Sequence, residues 1–188
     1  MIRVRPVRAD EWKDLRDVRL RALADAPMAF GSTLAETIVL PDPFWRDWAD
    51  GEHRGPAFVA DDGSSVFLGL VGARPDDESP VIPATSVSKK MPPLADVLLT
   101  SMWVDPACRR RGIAHDLIAA VVSWSRTRGA PGVRLIVTET NHEARRLYEA
   151  CGFSLTGVTE PLPHAPDLIE VEMLLVLVPA LPRHAPAG

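Results

Sequence analysis

Cysteine is scarce: the 188-residue chain has two, Cys108 and Cys151. Neither stands in a CxxC or similar metal-ligand spacing, so no metal is expected. Two free thiols in a reducing compartment is a simpler reading of so distant a pair than a disulfide. Long apolar runs are also missing. The most apolar stretch, residues 168–181, is broken by Glu170, Glu172 and Pro179 and is too short to cross a bilayer. An excess of positive charge is missing too. Against 21 Lys and Arg stand 25 Asp and Glu, a formal charge of −4. That argues against nucleic acid as a partner but leaves room for a local anion site. There is no internal repeat, and no signal-peptide apolar core precedes the strand-like start. The expectation is a cytoplasmic protein with no membrane partner.

What is present suits one domain. Hydrophobic residues make up 46% and charged residues 24%, enough to bury a core. Residues 1–178 are expected to form that domain, with a proline-rich tail over 179–188. Ile2, Val4 and Val7 alternate with arginines as a first strand. Trp12, Leu15, Val18 and Ala22 recur at helical spacing, and Pro27 marks the end of that helix. Residues 28–40 are ambiguous. Residues 41–50 read as a short helix carrying Phe44, Trp45 and Trp48. Strands are expected at 57–60 and 66–71, around the turn Asp61-Asp62-Gly63-Ser64. The polar, proline-rich stretch 74–93 is expected to be a long exposed loop. A strand over 96–104 precedes a helix over 111–128, where Ile113, Leu117, Val121 and Trp124 share a face. A strand follows at 133–137. Asn141 then caps a helix ended by Gly152, and two strands close the chain. The order is β-α-α-β-β-β-α-β-α-β-β, an α/β chain with a mixed sheet and a parallel crossover between 96 and 137.

The informative segment is Met102-Trp103-Val104-Asp105-Pro106-Ala107-Cys108-Arg109-Arg110-Arg111-Gly112-Ile113-Ala114-His115. A strand ends, a loop turns, and a helix starts at small residues flanked by arginines. A helix start presents backbone N–H groups without partners and a partial positive charge, which suits a phosphate. Small Gly112 and Ala114 let an anion approach the backbone. The residues alone leave two readings, a phosphate site and a solvated basic helix start. Neither a Walker A loop nor GxGxxG is present.

Arg109-x-x-Gly112-x-Ala114, after a strand ending in Val104, resembles the Arg/Gln-x-x-Gly-x-Gly/Ala motif of the GNAT superfamily of N-acetyltransferases. One strand and one helix later, Asn141-His142-Glu143-Ala144-Arg145-Arg146-Leu147-Tyr148-Glu149-Ala150-Cys151-Gly152-Phe153 resembles that family's Asn-x-x-Ala-x-x-x-Tyr-x-x-x-Gly-Phe pattern at every fixed position. The resemblance implies a GNAT-like acyl-CoA N-acyltransferase fold and acetyl-CoA as co-substrate. It also implies a coenzyme site of Met102, Trp103, Val104, Arg109, Arg110, Arg111, Gly112, Ile113, Ala114, His115 and Asn141. Tyr148, seven residues after Asn141 and so on the same helix face, would act at the thioester sulfur.

The chemistry implied is transfer of an acetyl group to a primary amine of a small molecule, protein or peptide. Tyr148, with an ordinary pKa of about 10, would protonate the leaving thiolate. Many relatives carry a glutamate base in the strand before the loop; Leu98 falls near that position here. Asp96, two residues away, is the weak substitute. The acceptor site is expected among residues 30–36, 44–48, 74–93 and 160–167, with Trp45 and Trp48 as walls or core. Glu36 or Asp76-Asp77-Glu78 would draw in a cationic amine. His142 and His164 are read as surface residues. A non-catalytic acyl-CoA-binding sensory module is the alternative, and the last strands could pair across a homodimer.

Overall fold

The computed structural model describes residues 1–52, 54–64, 66–76 and 96–177. The expected loop from residue 77 onward, including Asp77 and Glu78, and the tail over 179–188 lie outside the described residues. The elements are β1 (Arg3–Pro6), α1 (Trp12–Asp25), α2 (Leu34–Ile38), α3 (Asp42–Asp50), β2 (Ala57–Asp61), β3 (Gly69–Pro75), β4 (Val97–Val104), α4 (Ile113–Thr127), β5 (Gly132–Thr138), α5 (His142–Ala150), β6 (Ser154–Leu162) and β7 (Ala165–Val176).

Four elements differ from expectation: the last two strands, expected at 153–158 and 168–178 with a turn over 160–167, run instead to Leu162 and from Ala165, and two more differ earlier in the chain. The ambiguous stretch holds α2, a helix of five residues, too short for periodicity to reveal. A capping box starts it: Glu36 N–H donates to Thr33 Oγ1, and Thr33 N–H donates back to the Glu36 carboxylate. The third strand starts later than residue 66, because Gly69 is the first residue of β3 in register, opposite Ala60. The loop before it is held by Asp61 and Asp62, whose carboxylates accept from Gly63 and Ser64 N–H.

The seven strands lie in the order β1-β2-β3-β4-β5-β7-β6. All pairings are antiparallel except β4–β5, where α4 is the connection. Both faces of the sheet are covered, so β2 is buried along its whole length. Phe58 and Ala60 pack with Leu117 and Val121 of α4, while Ala57 and Val59 pack with Leu15 of α1 and Trp45 of α3.

Strand β4 carries the irregularity that shapes the site. Leu70 pairs with Trp103, but Gly72 pairs with Thr100. One extra residue therefore sits on β4, a bulge. Ser101 in it adopts φ 57°, a left-handed conformation that costs a non-glycine residue about 1 kcal/mol or more. The bulge reverses the alternation of the strand. Val97 and Leu99 face the α4 core; beyond the bulge Val104 faces it and Trp103 turns to the α1 core.

Strands β4 and β5 are paired only at their starts, Val97 with Val133 and Leu98 with Arg134. Beyond those pairs the two neighbours diverge, and a cleft opens between them.

Candidate active site

The cleft has a volume of about 540 Å³. Its walls are β4 from Leu99 to Val104, the start of α4, Leu135 to Val137 of β5, and the Asn141–Tyr148 face of α5. Met102, Trp103, Val104, Arg109, Arg110, Gly112, Ile113, Ala114, His115, Asn141 and Tyr148 all line it. Arg111 does not. It is exposed, with Nη1 4.0 Å from Cys108 Sγ, because the turn through Arg110 rotates the next side chain away from the cleft.

The loop ahead of α4 is tied to α1. Asp105 accepts from Arg21 Nη1 at 3.2 Å and caps Ala107 N–H at 2.9 Å. Asp25 accepts from the Trp103 indole at 2.9 Å and pairs with Arg109. Arg109 Nε also donates to Val104 O at 3.0 Å. The Arg109 guanidinium is therefore largely occupied in holding the loop. Arg110, at φ 60°, is the cation of the three that lines the cleft without an ion pair among the described residues.

Gly112 takes φ 83° as the residue before α4, and no side chain caps this helix. The N–H groups of its first turn are thus left for a ligand. A Cβ at Gly112 would meet nothing within 4 Å. Its role here is the left-handed turn, not the removal of bulk against protein. A diphosphate fits this helix start: open amides, a positive dipole end and one unpaired arginine beside it.

Asn141 caps α5 through Oδ1, which accepts from Ala144 N–H at 3.2 Å. Its amide N–H2 has no partner among the described residues. Tyr148 is 6% exposed, packed edge-on to Phe153 with ring centroids 5.8 Å apart. No hydrogen bond reaches its hydroxyl among the described residues, and burial, with a smaller contribution from Cys151, raises its pKa above the ordinary value. It is a proton donor facing a cleft without a competing acceptor.

Asp96 does not line the cleft. Its carboxylate accepts from Arg134 Nε at 2.7 Å, just ahead of the start of β4, where β4 and β5 are paired. The ion pair, not solvent or an amine, holds this group, so the weak base assignment is withdrawn. A residue passed over in the sequence stands closer to the requirement. Glu170 of β7 is 7% exposed, with no hydrogen bond or ion pair among the described residues. Burial first, then Glu160, raises its pKa above 4.5, against an opposing effect of His164. It lies in a small pocket that shares Ile136 with the cleft. In the sequence Glu170 is only an interruption of an apolar run; in the sheet its cross-strand partner is Thr138.

Trp45 and Trp48 are core residues, 0% and 9% exposed, and also wall a second pocket. Cys108 and Cys151 are free thiols. His142 is exposed, and His164 Nε2 lies 3.3 Å from Pro27 O. Among the described residues no cluster of ligands could hold a metal, and no helix is long and apolar enough to cross a membrane.

Known proteins resemble this chain in sequence and in fold. The chain is 30% identical over 101 residues to a streptothricin acetyltransferase of Escherichia coli, covering 54% of this chain and 56% of that one. It is 31% identical over 105 residues to N-acetyltransferase 8 of Homo sapiens, covering 56% and 41%. The matches thus span about half the length of these curated relatives. The crystal structure of Arabidopsis thaliana NAA60 in complex with acetyl-CoA superposes with a TM-score of 0.71 at 20% identity, covering 94% of this chain and 99% of that one. The acetyltransferase (GNAT) family model matches residues 19–153, well over half the sequence, and the chain belongs to that family.

Proposed function

We propose that the chain transfers the acetyl group of acetyl-CoA to a primary amine of a small molecule, protein or peptide. The observation that carries this reading is one cleft with two ends: the uncapped start of α4 and the unpartnered Tyr148 hydroxyl. The amides of residues 113–115 and the Arg110 side chain would hold the diphosphate. The backbone of Met102, Trp103 and Val104, freed where β4 leaves β5, would pair with the pantetheine arm as an added strand does. Asn141 would donate its free amide to the same arm. Tyr148 would give its proton to the departing thiolate, which is only weakly basic at a thiol pKa of about 8.5. Support comes from the acetyl-CoA held by the Arabidopsis protein and from the acetyltransferase relatives.

The decisive experiment follows free thiol release from acetyl-CoA against a panel of amines. Tight acetyl-CoA binding with no transfer to any amine would instead favour a sensory module. A cytoplasmic location is in keeping with the two free thiols. Edge strand β6, with Leu155 and Val158 exposed, is the element on which a second copy would pair. Neither a membrane nor a nucleic acid is assigned as a partner.

Glu170 is assigned as the group that accepts the proton of the amine. Its raised pKa makes it a better base than an ordinary carboxylate. Glu170→Gln is expected to lower kcat/KM by about a hundredfold and to remove the acid limb of the pH profile. Stability moves the other way. A carboxyl whose folded-state pKa is raised binds its proton more tightly when folded, so stability falls as pH rises from 4.5 through the raised value. Glu170→Gln therefore melts higher than the parent at pH 7, and the gain shrinks toward pH 4. An unchanged kcat/KM across pH would remove Glu170 from the reaction.

A further inference from the structure

The second pocket, of about 380 Å³, lies on the α1–α3 side of the sheet and meets the coenzyme cleft at Thr100 and Ser101. The β4 bulge is their shared wall. Phe44, Trp45 and Trp48 give the pocket an aromatic lining. Into this lining α1 sends a cation. Arg19 is 7% exposed, with Nη2 donating to Ser32 Oγ at 2.8 Å and the guanidinium 4.5 Å from the Phe30 ring centroid. Among the described residues no carboxylate pairs with it and its buried Nη1 has no hydrogen-bond partner. Burial holds its pKa down to about 10.

A buried charge without a counterion is costly, and folding alone gives no reason to retain one here. The other charges of the pocket do not answer it. Arg54 pairs with Asp47 at 2.9 Å. Glu36 is exposed and its carboxylate accepts from Thr33 N–H and Oγ1. Arg74 adds a second positive charge at the wall. Among the described residues of the pocket, Arg19 and Arg74 thus outweigh the single Glu36 carboxylate, and the charge most in need of a partner is the buried cation Arg19.

We propose that the acetyl acceptor is an amine that also carries a carboxylate, and that Arg19 binds this carboxylate. This rests on the acetyl-transfer reading. The amine enters the cleft past Thr100 and Ser101, while the carboxylate meets Nη1 and the aromatic walls take an apolar side chain. One guanidinium with both N–H groups of Nη1 vacant matches a single monovalent anion.

The test uses matched sets of apolar amino acids, their carboxamides and their decarboxylated amines, at saturating acetyl-CoA, read by thiol release. The acids are expected to exceed the carboxamides by at least about tenfold in kcat/KM, the scale of one charge-assisted hydrogen bond. Arg19→Met is expected to level the two, and Arg19→Lys to keep part of the preference, which separates loss of the cation from loss of the fold. Acetyl-CoA affinity, measured by calorimetry, stays unchanged in both variants, since Arg19 does not line the coenzyme cleft. Equal turnover of acids and carboxamides across the sets, or a preference that survives Arg19→Met, overturns the proposal. Where no amine turns over, the melting temperature of the coenzyme A-loaded protein decides. N-acetylated amino acids must raise it more than N-acetylated amino-acid amides do, and equal shifts overturn the proposal. Failure of acetyl-CoA to bind at all would count against the coenzyme reading instead.

Discussion

Tyr148→Phe leaves acetyl-CoA affinity within about twofold and lowers kcat by about a hundredfold, the low end of what a positioned proton donor contributes. The ring stays, so the edge-on contact with Phe153 and the wall of the cleft stay. Only the hydroxyl leaves, and nothing in the protein depends on it for a hydrogen bond among the described residues. The raised pKa sharpens the expectation. Burial keeps the phenol protonated above its ordinary value of 10.0, so ionisation of Tyr148 imposes no loss of activity below that pH. A basic limb seen below pH 10 must belong to another group and must persist in Tyr148→Phe. Tyr148 is the chain's only tyrosine, so its ultraviolet titration is free of overlap and locates the ionisation directly. Calorimetry of acetyl-CoA binding and single-turnover thiol release separate the two effects. A variant with parental kcat would show that the thiolate leaves without help from this residue.

How far such a site can be read from sequence depends on which physics wrote it. Helix α4 was legible because Ile113, Leu117 and Val121 face one core and so repeat at the helical period. Its start was legible because Gly112 and the residues around it have few other reasons to stand together. Helix α5 was legible for the same reason, from the cap at Asn141 to the positive-φ Gly152. Each signal is local: the residues that define it are neighbours in sequence.

The features that escaped are long-range. The β4 bulge leaves no mark, because Val97, Leu99, Met102, Trp103 and Val104 are apolar on both sides of it and the sheet is covered on both faces. A shift in alternation is invisible where every position favours burial. Asp96 looked available because its partner Arg134 lies 38 positions away, on a strand that becomes its neighbour only through the crossover. Glu170 looked like an interruption until folding placed it in a pocket that adjoins the cleft at Ile136. Arg19 falls on the buried face of an ordinary amphipathic helix, where an arginine is usually read as a stem lying along the surface. Only the lack of a carboxylate partner among the described residues, with Nη1 unsatisfied, changes that reading.

Gly112→Val separates the coenzyme site from the stability of the fold. The position holds φ 83°, and a Cβ there would touch nothing within 4 Å. Steric collision is therefore not the cost; the left-handed backbone is, at about 1–2 kcal/mol, more for a β-branched residue. The unliganded protein is expected to melt about 2–8 °C lower, at about 2–4 °C per kcal/mol for a domain of this size. Coenzyme binding suffers far more. The turn at Gly112 aims the first amides of α4, and each charge-assisted hydrogen bond to a phosphate is worth about 1.5–3 kcal/mol. Two misdirected amides weaken acetyl-CoA by about a hundredfold or more. The parent gains about 2.7 kcal/mol of stability at 100 times its dissociation constant of acetyl-CoA, a rise of about 5–10 °C. At the same concentration Gly112→Val should show about a seventh of that gain or less, because its site is then half filled at best. Arg111→Ala is the control. Its side chain lies outside the cleft, so its coenzyme-induced rise should stay near that of the parent, whereas Arg110→Ala should lose part of it. If Gly112→Val bound acetyl-CoA as the parent does, the helix start would not be the diphosphate site, and the coenzyme would have to be held by β4 and α5 alone.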